Sequence, residues 1–257
     1  MRVYSYVMIA DNGFAPNPYY GICTLACCKP RIRKGVGDYV INAFTDKIKE
    51  DNGINRLTSK KKKELGLPEE INLKAVKEYF GDFFQEFVDK LQIWIIGTAG
   101  KNLKSDNPIV YIMQVTDVQT YEEYWNKHEK KRPYPEYFTH SHPEKNSSYE
   151  YCGDNIYEID SDSACIRQLP SFHYVNGKFD SDTAIHDLSG VYVLLSDNFV
   201  YFGNKAVSFD GEIHKGIGEK IFIDNEKLEK FIMYQISNNK NDIKGRPINS
   251  DKNFKWE

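Results

Sequence analysis

Hydrophobic and polar positions divide the chain into early strand-like segments, an inserted helical block, further strands and late helices. Met1 to Ile9 is rich in aromatic and β-branched residues and reads as a strand. Asp11-Asn12-Gly13 and Pro16-Asn17-Pro18 end it, because both demand turn geometry. Gly21 to Cys28 is apolar, and Lys29-Pro30-Arg31-Ile32-Arg33-Lys34 then places four cations in six residues. That basic stretch reads as extended, with Lys29, Arg31 and Arg33 on one side, closed by a tight turn at Gly35 to Asp38. Tyr39 to Phe44 fits a strand or the start of a helix.

From residue 45 to 91 the period changes. Val76, Phe80, Phe83, Phe84, Phe87, Val88 and Leu91 recur at helical spacing. Leu91 to Ile96 and Pro108 to Val115 then read as two strands of a hairpin with a long loop. Thr120 is a helix N-cap, followed by Glu122 and Glu123, with Tyr121, Tyr124 and Trp125 on one face. Asn155 to Tyr157, Gly190 to Ser196 and Phe199 to Phe202 are further strand segments. Residues 224–237 form a last helix, and the tail from Asn238 is polar and expected to fray. The tally is an α+β fold with a mixed, mainly antiparallel sheet or a small β-barrel. It predicts one domain over residues 1–237, with 45–91 a helical insertion, and a polar tail over 238–257.

Composition narrows the function classes. The chain has 257 residues and a net charge of −3, so any nucleic-acid contact must be local rather than global. Tyr (18) outnumbers Phe (15), which suits recognition by stacking and hydrogen bonding. No apolar run is long enough to span a bilayer, and no signal peptide is visible. Five cysteines, an odd number, suit the reducing cytoplasm better than a disulfide framework. No dinucleotide or P-loop glycine motif is present.

The chemistry-bearing residues are scattered. Lys29, Arg31 and Arg33 can grip phosphates, or they can guard a solvated edge strand. Cys23, Cys27, Cys28, Cys152 and Cys165 lack the paired spacing of a zinc site and read chiefly as buried thiols. Cys27 or Cys28 beside Lys29 can also serve as a nucleophile, but the sequence places no base near either. His173 and the pair His186-Asp187 offer a general base or ordinary packing. His140 and His142, with Glu144, make a weak metal pair, and no bound metal, disulfide or cofactor is expected. Asp154 and Asn155 follow Gly153, as pocket groups or as turn formers.

Several blocks resemble a known family. Ser5-Tyr6-Val7, Gly13 to Pro18, Cys23 to Arg33 and Val36-Gly37-Asp38 closely resemble the second nucleotide-modification-associated domain family. So do Ile96-Gly97-Thr98, Val110-Tyr111, Tyr124-Trp125, Gly153 to Tyr157 and Tyr201-Phe202-Gly203. The resemblance implies association with systems that make or handle modified bases in phage and bacterial DNA, alongside base-modification or restriction enzymes. It also implies that Gly37-Asp38 leads almost directly into the strand ending at Gly97-Thr98, which marks the intervening stretch as an insertion. A looser pattern resembles the PUA, ASCH and EVE barrels, some of which bind a modified base.

Two functions follow as expectations. The first is a non-enzymatic pocket for a modified base or nucleotide, with Asn17 at the base edge and hydroxyls from Thr24 and Thr98. Trp125 and Tyr157 would stack, Lys29, Arg31 and Arg33 would hold phosphates, and Asp154, Asn155 and His173 would complete the lining. The second is an enzyme acting on nucleotides or DNA bases, through His173, Asp154 or a cysteine.

Overall fold

A computed structural model describes residues 1–134, 148–160, 165–174, 178–250 and 252–255. Its centre is a six-stranded sheet. The strands are β1 (Arg2–Met8), β3 (Ile93–Ala99), β4 (Ile109–Gln114), β9 (Phe199–Tyr201), β10 (Glu219–Ile223) and β11 (Asp242–Ile243), in the order β10-β1-β3-β4-β9-β11. β1 runs parallel to β3 and β11 parallel to β9, and the other pairs are antiparallel. The sheet is mixed and mainly antiparallel, as its alternating segments imply. It is open, with β10 and β11 at its edges, so the small barrel anticipated from the sequence does not form.

Both faces of the sheet are covered. Tyr4, Tyr6, Ile93 and Ile95 point to one side, where helix α1 (Pro30–Asp51) supplies Ile32, Val36, Val40, Phe44 and Ile48. Val3, Trp94 and Ile96 point to the other, against Leu228, Ile232 and Ile236 of α7 (Glu226–Asn239). A strand buried on both faces reads as a continuous apolar run, which is why Ile93 to Ile96 was legible. A second sheet joins β2 (Cys23–Leu25), β8 (Tyr192–Ser196) and β5 (Asp117–Thr120), all antiparallel. Beside it lie the hairpin β6 (Tyr157–Asp160) and β7 (Cys165–Gln168), α5 (Tyr121–Lys127) and α6 (Ser181–Leu188).

The basic stretch departs most from its expected form. It is the first turn of α1, not an extended segment, and Gly35 to Asp38 continue that helix rather than turn. Pro30 sits at the first helical position, where its missing N–H costs nothing. The apolar residues 32, 36, 40, 44 and 48 repeat every four positions and outweigh the β-like alternation of charge. Gly37 lies inside the helix because the Tyr192 ring packs where its Cβ would be, 2.1 Å away.

Helices α2 (Ser59–Glu64), α3 (Leu73–Phe80) and α4 (Phe84–Lys90) follow α1. Leu73, Val76, Phe84, Phe87 and Val88 join the core beneath α1. Residue 45, the expected start of an insertion, falls in the middle of α1. The tail also differs from a frayed end. Beyond β11, the Ile248 amide donates to the Asp11 carboxylate at 2.9 Å, and Phe254 is buried against Tyr19. Its sparse apolar residues find cover that a polar composition concealed. No described helix is long and apolar enough to cross a membrane.

Candidate active site

The turn between β2 and α1 presents a thiol to a cavity. Cys28 precedes Lys29, whose backbone adopts the left-handed conformation (φ 56°, ψ 54°), and Pro30 then starts a helix of 22 residues. A non-glycine residue held there is uncommon, and such residues gather at functional sites. No side chain caps the first turn of α1. The positive end of the helix therefore lies next to Cys28. The cavity has a volume of about 720 Å³, within the range of small-molecule sites. Tyr6, Phe14 and Phe172 give it aromatic walls, and Lys29, Arg31, Asp182 and His186 its polar ones.

His173 completes a chain of contacts inside this cavity. Its Nε2 lies 3.6 Å from the Cys28 Sγ, and its Nδ1 lies 2.5 Å from the Asp187 Oδ2. Asp187 is buried near the end of α6 and also accepts the Tyr157 hydroxyl at 2.7 Å. Phe14 packs against the imidazole, 4.7 Å from it centroid to centroid and tilted by 56°. Burial opposes charge on the ring, but the bond to Asp187 and the contact with Cys28 outweigh it, so His173 is pushed up to about 10. Thiol, imidazole and carboxylate thus stand in the order of a nucleophile, a base and the group that orients the base.

Three side chains of the metal-ligating types also meet here. Among the described residues, donor atoms of Cys27, His173 and Asp187 lie within 4.8 Å of one another. The Cys27 thiol donates to the Asp154 carbonyl at 3.2 Å, and His173 Nδ1 is engaged by Asp187, so a metal would have to displace both bonds. His140, His142 and Glu144 lie outside the described residues.

Three of the residues expected in a pocket line this one: Lys29, Arg31 and His173. Arg31 is exposed at the mouth and pairs with Glu219 at 3.0 Å. The Lys29 Nζ donates to the Val7 carbonyl at 3.2 Å, and burial holds its ammonium below the usual lysine value. Tyr157 supports the site from behind through Asp187 rather than stacking. Arg33 is fully buried and faces away from solvent, so it is not part of a common cationic face with Lys29 and Arg31.

Four of the others, Asn17, Thr24, Asp154 and Asn155, belong to a buried polar knot. The Lys131 ammonium donates to the Asn17 side-chain oxygen at 2.7 Å, to the Ile22 carbonyl at 2.7 Å and to the Thr24 hydroxyl at 3.3 Å. Thr24 donates to Asp154 at 2.7 Å, and Tyr124 does so at 2.6 Å. Asn155 donates to the carbonyls of Tyr124 and His128. Thr98 donates to the Tyr6 carbonyl inside the main sheet, and Trp125 stacks against Arg132 at 3.9 Å. Asn17 spends its amide on the carbonyls of Gly13 and Cys152. Replacing Asn17 by Ala is therefore expected to lower stability by about 2–3 kcal/mol and to leave ligand selectivity unchanged. Denaturant melts and binding measured on the same protein check this, and altered selectivity at unchanged stability would contradict it.

Two residues of the chain of contacts stood outside the expected pocket lining. Cys28 was one of two thiols weighed as nucleophiles, and Asp187 only a neighbour of His186. The missed signal was local: a Pro at a helix start followed by an apolar stripe every four residues marks Cys28 as the residue at a helix N-terminus.

Comparison with known proteins identifies the family. The family model described as nucleotide modification associated domain 2 matches residues 1–57 and 88–254. The unmatched stretch, 58–87, holds α2, α3 and the start of α4. No curated protein and no solved structure matches the chain. The match spans Cys28, His173 and Asp187 together with most of both sheets, and the chain belongs to the nucleotide modification associated domain 2 family.

Proposed function

We propose that the chain is a thiol enzyme acting on a nucleotide or nucleic-acid base, with Cys28 as nucleophile, His173 as acid and base, and Asp187 as its orienting group. The single observation that carries this reading is the alignment of Cys28 Sγ, the His173 ring and Asp187 Oδ2 inside one cavity. An imidazolium beside a sulfur stabilises negative charge on it. The Cys28 sulfur then bonds to an electrophilic carbon of the substrate, and the electron pair of the broken bond departs with the leaving group. His173 gives that group its proton. The neutral ring next takes a proton from water, whose oxygen bonds to the same carbon, and the sulfur leaves as thiolate. The α1 N-terminus beside Cys28 supports the same reading, because its partial positive charge favours an anion there.

The aromatic walls and the cations Lys29 and Arg31 suit a base with its phosphate. They also favour a second reading, a reader of modified bases that performs no chemistry. Alkylation of Cys28 by iodoacetamide, followed by peptide mass spectrometry, tests occupancy of the cavity. A panel of plain and modified nucleotides and short oligonucleotides is expected to contain members that protect Cys28. Intact-mass detection of a sulfur adduct with a protecting member supports the enzyme, and protection without adduct or turnover supports the reader. Absence of protection across the panel removes the nucleotide reading.

A further inference from the structure

We propose that Arg33 is the positioning residue of this site: its guanidinium locks the nucleophile turn and the end of α6 into one frame. The inference rests on the reading of Cys28 as nucleophile. Arg33 lies in the first turn of α1, is fully buried and uses its whole donor fork. Its Nε donates to the Cys28 carbonyl at 2.9 Å, and one terminal nitrogen donates to the Cys27 carbonyl at 3.1 Å. That same nitrogen donates to the Asp187 carbonyl. The other terminal nitrogen donates to the Tyr121 hydroxyl at 2.6 Å and the Tyr192 carbonyl at 2.7 Å. One rigid plane thus binds the residue that carries the thiol and the residue that carries the carboxylate, which are far apart in sequence.

The surroundings show that the plane is held in place. Tyr121 reaches the same two segments, with its hydroxyl 2.8 Å from the Ala26 carbonyl and 2.9 Å from that of Asp187. No carboxylate forms an ion pair with Arg33 among the described residues, so carbonyl dipoles and one hydroxyl alone compensate a buried charge. That arrangement is costly unless every donor is satisfied. Lysine has three donors without a fork and cannot reproduce it. Gly190, just after α6, leaves the needed space: a Cβ there would lie 2.4 Å from the guanidinium carbon. Its backbone is not left-handed, so Gly190→Ala adds only that methyl group against the plane.

The test measures the iodoacetamide alkylation rate of Cys28 against pH. It uses the wild type, Gly190→Ala, Arg33→Lys, and Arg33→Ala with and without millimolar guanidinium, each below its own melting temperature. Displacing the plane is expected to slow alkylation near neutral pH by about tenfold or more and to move the rise of the profile to higher pH. Added guanidinium is expected to restore part of the rate in Arg33→Ala. A purely structural role would lower melting temperatures and leave the profile in place. Wild-type profiles in folded Gly190→Ala and Arg33→Lys therefore overturn the positioning role, whether or not Arg33→Ala folds. A wild-type profile in His173→Ala would instead bring down the thiol reading beneath it.

Discussion

Substituting His173 by Ala is expected to slow alkylation of Cys28 at pH 7 by about a hundredfold, the lower end of what a positioned acid–base group supplies. The reason is the contact of 3.6 Å between Nε2 and the sulfur, together with the 2.5 Å bond that Nδ1 makes to Asp187. Burial disfavours a charged ring, yet those partners outweigh it and push His173 up to about 10. The imidazolium is therefore present from acid pH to about 10, and its support for a sulfur anion is lost as pH rises through that value. An unassisted thiol ionises near 8.5. The gap between wild type and variant should thus be widest near pH 6–7 and close as pH approaches 10. Stopped alkylation time courses at several pH values check this, and a gap that is the same at pH 6 and pH 10 refutes it. Asp187→Asn should retain the ring and lose part of its charge, giving an intermediate rate, while Cys28→Ser should give no adduct at that position.

Replacing Asp154 by Ala is expected to destabilise the protein by about 3–5 kcal/mol, because it strands a buried cation. Asp154 and Lys131 share the Thr24 hydroxyl, and both are almost fully buried. Urea melts at pH 7 measure the loss, and a change below about 1 kcal/mol would mean the pair contributes no more than an exposed one. The same knot predicts a pH dependence. Burial holds Lys131 down to about 8, against a usual lysine value of 10.5. Between those values the unfolded chain binds the proton and the folded one does not, so this group's contribution rises with pH. Stability is gained as pH climbs from about 8 to 10.5 and lost as it falls back. The difference between wild type and Lys131→Met should follow that window in melts from pH 7 to 10, and a constant difference would contradict the assignment.

The knot also explains why the residues assigned to one pocket from the sequence are dispersed in the structure. Asn17, Thr24, Asp154 and Asn155 are polar residues in turns, and from the sequence a polar turn residue fits a ligand site and a buried network equally well. Burial decides between them. Asn17 and Thr24 are wholly inaccessible, and their hydrogen bonds go to Lys131, Asp154 and backbone carbonyls. Lys131, the cation that gathers them, sits in the run Lys130-Lys131-Arg132, where charge by itself suggests exposure, yet it is buried. The Arg33 side chain was misplaced for a related reason. Charge predicts exposure unless a cluster of carbonyls is assembled around it, and these carbonyls come from segments far apart in the chain.

What the sequence determined by itself was local. The apolar runs of β3 and β4 and the Asn225 cap of α7 follow from neighbouring residues, and so does the Thr120–Glu123 capping box. The motif from Cys23 to Arg33 pointed to the family through residues contiguous in the chain. Tertiary structure decided whether Lys29 to Lys34 is extended or helical, because the stripe from Ile32 to Ile48 gains its stability only against the sheet. It also decided the site. Cys28 and His173 are 145 positions apart, and β2, α1 and α6 must pack before thiol, ring and carboxylate meet. Periodicity records what each residue does within its own element, whereas their meeting depends on how those elements pack.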